Sequence, residues 1–233
     1  MSVTVGVDMS LISPGLALKR SDDDIIHMMG FQQRITDMEI IDHEMTPTLH
    51  VSRLGYPVKI KDRWVRSAHV VKTIITWIKS FMKSNDEKVH LYIENYALGM
   101  AGSSSVSKLC ELGGILRHYI SENKWSFSEL SPGTIKKFFS GNGRASKSEM
   151  IEAYREKHGY PMLNDLFKIK DLQHPQEDMV DAIAILLTGL SGVKPKKPKK
   201  RKIKKLSEKD EKPNEPKKRK IKKLSDVASC DYM

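Results

Sequence analysis

Four carboxylates in this chain stand where carboxylates are seldom found. The apolar, β-branched run Val3, Val5, Val7 breaks off on Asp8, and a second run, VHLYIE at 89–94, breaks off on Glu94. The apolar stretch EDMVDAIAILL carries Asp178 and Asp181, three residues apart and therefore on one face of a helix. Singly, most have ordinary explanations: Asp after a strand forms turns, Glu at a strand end is a solvated edge charge, and acids in a first helical turn complement the helix dipole. Asp181 is harder to explain so, because it lies a turn into the helix with apolar neighbours on both sides.

The four make more sense together. In α/β sheets, ligands gather beyond the carboxyl ends of the strands, where Asp8 and Glu94 stand. If the last helix packs beside those ends, four negative charges converge. Two of them about 4 Å apart repel by roughly 4 kcal/mol at an effective dielectric of 20, so the cluster calls for cations. An all-oxygen site suits Mg²⁺, with Mn²⁺ as a substitute, and not zinc. Two such ions about 4 Å apart form the arrangement for in-line attack on a phosphodiester. His174, one turn before Asp178, is placed to assist water activation; His27, His69 and His118 share no spacing with it.

The elements that must position these groups follow from hydrophobic period. Residues 3–8 read as a strand, 15–19 as its hairpin partner across Pro14-Gly15, and 25–31 as a third strand. From 32 to about 63 the pattern blurs, with LHVSRLGYPVKI readable as strand and loop. Val65 to Met82 has helical spacing, 89–94 is a buried strand, and Ser105 to Ile120 is a helix with Val106, Leu109, Leu112, Ile115, Leu116 and Tyr119 as its stripe. A strand at 125–131 follows, then a short helix opened by Ser131-Pro132. Next come a glycine loop, SGNGRAS, and a helix from Lys147 to His158 capped by Ser146. Glu177 to Leu190 is an almost wholly apolar helix, which requires burial. The class is α/β: a mixed sheet with helices on both faces.

Charge divides the chain. Residues 194–233 carry 17 Lys+Arg against 6 Asp+Glu, while the first 193 carry 23 of each, so the whole net charge of +11 lies in the tail. One domain at 1–193 and a Lys-rich tail at 194–233 are expected. The tail repeats PKKRKIKKLS at 198–207 and 216–225; such like-charge blocks cannot bury enough surface to fold, so disorder is expected. It fits a grip on nucleic-acid phosphates or, through PKKRK, a nuclear import receptor. Cys110 and Cys230 offer neither a disulfide framework nor a zinc spacing. With a strand directly after Met1 and no apolar run of membrane-spanning length, a soluble intracellular protein without a membrane partner is expected. Its place is then the nucleus if the tail is an import signal, or otherwise the cytoplasm of an infected host.

The segments GVDMSLISPGLAL, IENYALGMAG, ELGGILR, SPGTIKKFFSGNGRASKSEM and DMVDAIAI resemble, in order, the landmarks of RuvC-like Holliday junction resolvases, in particular those of bacteriophages and large DNA viruses. The resemblance covers roughly residues 3 to 190. It implies an RNase H-like fold, a metal-binding catalytic tetrad of Asp8, Glu94, Asp178 and Asp181, and a homodimer nicking opposing strands of a four-way junction in recombination and repair. It also implies DNA contacts from Lys136, Lys137, Arg144 and Lys147, with Gly141 and Gly143 letting amides approach phosphates. Tyr96, two residues after Glu94, is the implied aromatic that stacks near the junction centre, on a loop made mobile by Gly99 and Gly102. Gly113-Gly114 inside a helix costs about 1 kcal/mol per glycine; a close partner, either a second subunit or the chain's own sheet, would compensate. Two other readings stay open: a nuclease of the same fold acting on flaps, forks or RNA–DNA hybrids, and a DNA-binding module without activity.

Overall fold

The computed structural model describes residues 1–32, 41–96, 104–168, 170 and 173–193. The chain divides into two units, Met1–Lys196 and Lys197–Met233, and the fold is that of the first. The tail at 194–233 and the glycines Gly99 and Gly102 lie outside the described residues.

Seven strands form one mixed sheet: β1 (Ser2–Asp8), β2 (Gly15–Arg20), β3 (Ile26–Gln32), β4 (Ile41–Thr46), β5 (Leu49–Gly55), β6 (Lys88–Glu94) and β7 (Ser126–Leu130). Their spatial order is β4-β5-β3-β2-β1-β6-β7. β1 runs antiparallel to β2 and parallel to β6, and β6 runs parallel to β7. The expected sheet with helices on both faces is therefore present. The blurred region 32–63 holds the β4–β5 hairpin, turned by Pro47-Thr48. β4 is an edge strand, and a strand with a single neighbour needs no strong apolar pattern, which is why IDHEMT carries no clear signal.

Helices α1 (Arg63–Ser80) and α2 (Ser104–Glu122) cover one face. Their core joins Val3, Val5, Val7, Leu91 and Ile93 to Ile74, Ile78, Leu112 and Leu116. The other face carries α3 (Pro132–Ser140), α4 (Lys147–Glu152), a π-helical turn (Ala153–Lys157), α5 (Asn164–Phe167) and α6 (Gln176–Leu190). The expected helix from Lys147 to His158 is thus α-helical only through Glu152. Ser131 and Ser146 cap α3 and α4 as their types predict: the Thr134 amide donates to Ser131 Oγ, and Ser146 and Glu149 form a reciprocal capping box. No described helix is long and apolar enough to cross a membrane.

The two-residue period of a strand decides where the acids point. In β1, Val3, Val5 and Val7 face α1 and α2, so Gly6 and Asp8 face α6. In β6, Val89, Leu91 and Ile93 face α1 and α2, so Tyr92 and Glu94 face α6. Val7 pairs with Ile93, which makes Asp8 and Glu94 the next residues on adjacent parallel strands. α6 then lies directly on this face because glycines make room for it. A Cβ on Gly6 would come within 2.4 Å of the Ala182 carbonyl oxygen, and one on Gly15 within 2.1 Å of the Asp178 carbonyl oxygen.

Candidate active site

Three of the four acids expected to converge, Asp8, Glu94 and Asp181, line one pocket of about 350 Å³ together with Tyr96, Lys136 and Lys147. Asp178 stands beside it, close enough to act on Asp8. Burial raises Asp8 well above the ordinary carboxylate range, and the charges of Asp181, Asp178 and Glu94 raise it further. Burial also lifts Glu94, against the attraction of Lys136. Asp181 is pushed up to about 7 by burial, then by Glu94 and Asp178, with Lys147 and Lys136 opposing. These are acids held together at the expense of their charge. Cations filling the cluster would relieve both burial and repulsion, and a donor set made of carboxylate oxygens fits a hard divalent ion.

The acid cluster extends further than the sequence indicated. Glu177, buried, holds Lys147 Nζ at 2.6 Å and lies 3.3 Å from His174 Nδ1. His174 Nδ1 also bonds Asp178 Oδ2. That bond raises the imidazole pKa against its burial, helped by the charges of Asp178 and Glu177. Ligand atoms of His174, Glu177 and Asp178 all lie within 4.8 Å of one another; among the described residues no other trio of potential metal ligands is as tight. The spacing of 174, 177 and 178, one helical turn, was the available sign. Glu177 passed for a dipole-complementing acid because nothing in a sequence distinguishes a buried first turn from an exposed one.

The basic residues separate into two groups. Lys136 lies in the pocket wall, its Nζ donating to the Ala145 carbonyl at 2.7 Å. Lys147 also lines the pocket; burial opposes its charge, yet the bond to Glu177 and the nearby Asp178 and Asp181 hold its pKa above the ordinary value. Lys137 instead folds back onto the Gly141 carbonyl at 2.7 Å, and Arg144 is exposed on the loop outside the pocket lining. Lys136 and Lys137 belong to α3, and only Arg144 is a loop residue. The glycines of this loop have local reasons. Gly141 closes α3 with φ 90°, and Gly143 approaches Gly133 so closely that a Cβ would meet its carbonyl at 3.2 Å.

Tyr96 is fixed in the pocket. Its hydroxyl donates to the Leu109 carbonyl at 3.2 Å and accepts from Arg117 Nη1 at 2.9 Å. Arg117 in turn bonds Glu129 at 2.6 Å. The notch that receives Tyr96 is Gly113, where a Cβ would fall 1.7 Å from the hydroxyl. The close partner of that glycine is therefore the chain's own Tyr96. Gly114 has nothing within 4 Å of a Cβ position and is exposed.

Comparison with known proteins follows the same lines. The 84 residues shared with the crossover junction endodeoxyribonucleases RuvC of Helicobacter pylori strains Shi470 and G27 are 38% identical; they make up 36% of this chain and 47% of theirs. The match thus spans about half the length of those curated relatives. Two Thermus thermophilus RuvC structures are similar at 16% identity: one at TM-score 0.45, covering 80% of this chain and 92% of that one, and one in complex with a Holliday junction substrate at TM-score 0.49, covering 81% and 92%. The sequence model of the family described as crossover junction endodeoxyribonuclease RuvC matches residues 32–189, the larger part of this chain, including Glu94, Asp178 and Asp181. The acids of β6 and α6 thus fall inside the match while Asp8 joins them through the fold, and the chain belongs to the RuvC family.

Proposed function

We propose that this protein is a Mg²⁺-dependent endonuclease that resolves four-way DNA junctions by phosphodiester hydrolysis, acting as a homodimer that nicks opposing strands. What supports the reading is that Asp8, Glu94 and Asp181, from three elements, line one pocket with two lysines, with Asp178 beside it and the pKa of each of the three raised by burial. These four carboxylates would hold the metal, two ions per site. When bound, the ions supply charge stabilisation for the phosphate and a more acidic attacking water.

The remaining roles belong to the chain itself. Lys136 and Lys147 place positive charge at the pocket where a phosphate would enter, and charge-assisted contacts of this type position a strand without reading its bases. Glu177 anchors Lys147, and His174 orients the Asp178 carboxylate through Oδ2. Tyr96, clamped by Arg117 and Gly113, forms a rigid wall against which the cleaved strand is set. Lys137 and Arg144 lie farther out, suited to flanking phosphates. The Lys-rich tail adds sequence-independent grip on DNA or engages an import receptor.

The test is the purified chain with Mg²⁺ and a labelled synthetic four-way junction. Paired symmetric nicks are expected, and Asp181→Asn should bind the junction without cutting it. Normal nicking by that variant would remove the acid cluster from the chemistry. Cuts confined to flaps, forks or RNA–DNA hybrids would move the substrate while keeping the chemistry.

A further inference from the structure

Across the β1–β2 loop from the acid cluster lies a second concave face. Met9 of that loop lines the active-site pocket, whereas Leu11 and Ile12 line a separate pocket of about 410 Å³. α2 divides in the same way: Val106 and Leu109 face the acids, and Lys108 faces the second pocket. The two pockets thus share a wall. The loop is held in place by Tyr56, whose hydroxyl donates to the Leu11 carbonyl at 2.6 Å.

The chemistry of this face is mixed in a particular way. The segment Pro57–Ser67 with Lys108 and Glu111 carries five basic side chains and two acidic ones. Asp62 is engaged as the N-cap of α1, and Glu111 pairs with Arg63 at 2.8 Å. Arg66 is occupied by the Ile60 carbonyl at 2.9 Å, which shapes the turn carrying Lys59 and Lys61. Lys59, Lys61 and Lys108 supply the surplus positive charge. On the same segment, Val58 of the pocket lining and Trp64, beside Arg63 of that lining, are each 54% exposed. Trp64 is a large aromatic in water at the first turn of a helix, five residues after Lys59 and three after Lys61 in the chain and next to Arg63 of the pocket wall. This mix matches what unpaired nucleic acid presents: a flat base to stack on and phosphates to neutralise.

We propose that this face binds an unpaired strand segment next to the cleavage site, with a base stacked on Trp64 and the adjoining phosphates held by Lys59, Lys61 and Lys108. The choice of strand rests on the nuclease reading; the binding chemistry does not. A branched substrate has such segments where its arms separate. The lysine surplus favours nucleic acid over a second copy of this chain, which would bring an equal positive charge to the interface.

Intrinsic tryptophan fluorescence during titration with oligo(dT) reads the stacking directly, since Trp77 is buried and Trp125 partly so. The full chain is used throughout, so the tail contributes equally to every arm. Oligo(dT) should quench the wild-type protein. Trp64→Leu should abolish the quench and weaken binding about five-fold or more, the usual loss of one stacked base. Replacing Lys59, Lys61 and Lys108 together by Gln should lower the salt slope of binding by about 2, or roughly 0.7 for each single-strand phosphate that is no longer neutralised. Unchanged affinity and slope in the variants would overturn the proposal, even if junctions are cut as expected. Dissociation of a wild-type dimer by Trp64→Leu in sedimentation would also overturn it, assigning the face to an interface between copies. Quenching lost in Trp64→Leu by a protein that cuts no junction would keep this face and refute the nuclease reading.

Discussion

The seating of α6 on the sheet can be tested at one atom. Gly15 pairs with Asp8 across the hairpin, and its Cα lies under the first turn of α6, where Asp178 sits. Adding a Cβ there places it 2.1 Å from the Asp178 carbonyl oxygen and 2.4 Å from the carbonyl carbon. Ordinary contact begins at 3.4 Å, so the helix backbone must retreat by about 1.3 Å. Backbone of this kind cannot swing aside as a side chain can. Gly15→Ala should therefore cost about 1–3 kcal/mol in stability, as overpacked cores do, leaving a protein of typical stability mostly folded. The larger effect falls on activity. Asp178 would withdraw from Asp8, and a misplacement of about 1 Å at reacting groups can cost about 100-fold in rate. Junction cleavage under single-turnover conditions, with urea unfolding alongside, separates the two effects. Gly30→Ala is the milder comparison: its Cβ meets Met179 Sδ at 2.5 Å, a flexible side-chain end, and the Pro175 ring at 2.9 Å, but no helix backbone, so its rate should fall less. Wild-type cleavage by Gly15→Ala, or a loss no greater than the unfolded fraction explains, would refute the positioning argument.

Three further outcomes follow from other sites. Gly114 is exposed within α2 with open space at its Cβ position, so Gly114→Ala should stabilise by about 0.5–1 kcal/mol in urea unfolding, and a loss of stability would show a contact not seen in the single chain. Arg20 and Glu87 are buried together, Arg20 Nη2 lying 2.8 Å from Glu87 Oε1 with side-chain exposures of 5% and 3%. Arg20→Met should then destabilise, by about 3 kcal/mol at most, because Glu87 loses its counter-charge and keeps only the Lys83 amide at 2.8 Å, and Arg20→Met with Glu87→Leu should recover part of the loss. The raised acids also give a pH signature. Without metal, folded Asp181 keeps its proton up to about 7, while an unfolded Asp loses it near pH 4. Across that interval the folded state binds more protons, so this group makes stability fall as pH rises, with the loss complete above pH 7. Mg²⁺ should therefore raise the Tm more at pH 8 than at pH 5; equal shifts at both pH values would contradict the carboxylate cluster as its site.

The strands, the helices and the sheet with helices on both faces were largely legible in the sequence, because hydrophobic period carries them. Period also carried part of the site. Once β1 and β6 are strands with alternate residues buried, Asp8 and Glu94 must emerge on the same face, and a helix as apolar as α6 must lie on the sheet. β4 escaped because an edge strand can be polar. What the sequence could not provide was proximity between elements. Only the packed structure seats α6 on Gly6 and Gly15, at a depth that lets Asp178 reach Asp8. Only it brings Glu177 under Lys147, and turns the costly Gly113 into a notch for Tyr96. These contacts join residues from separate elements across the fold, and a local pattern has no term for such distances; close packing of backbone against backbone fixes them.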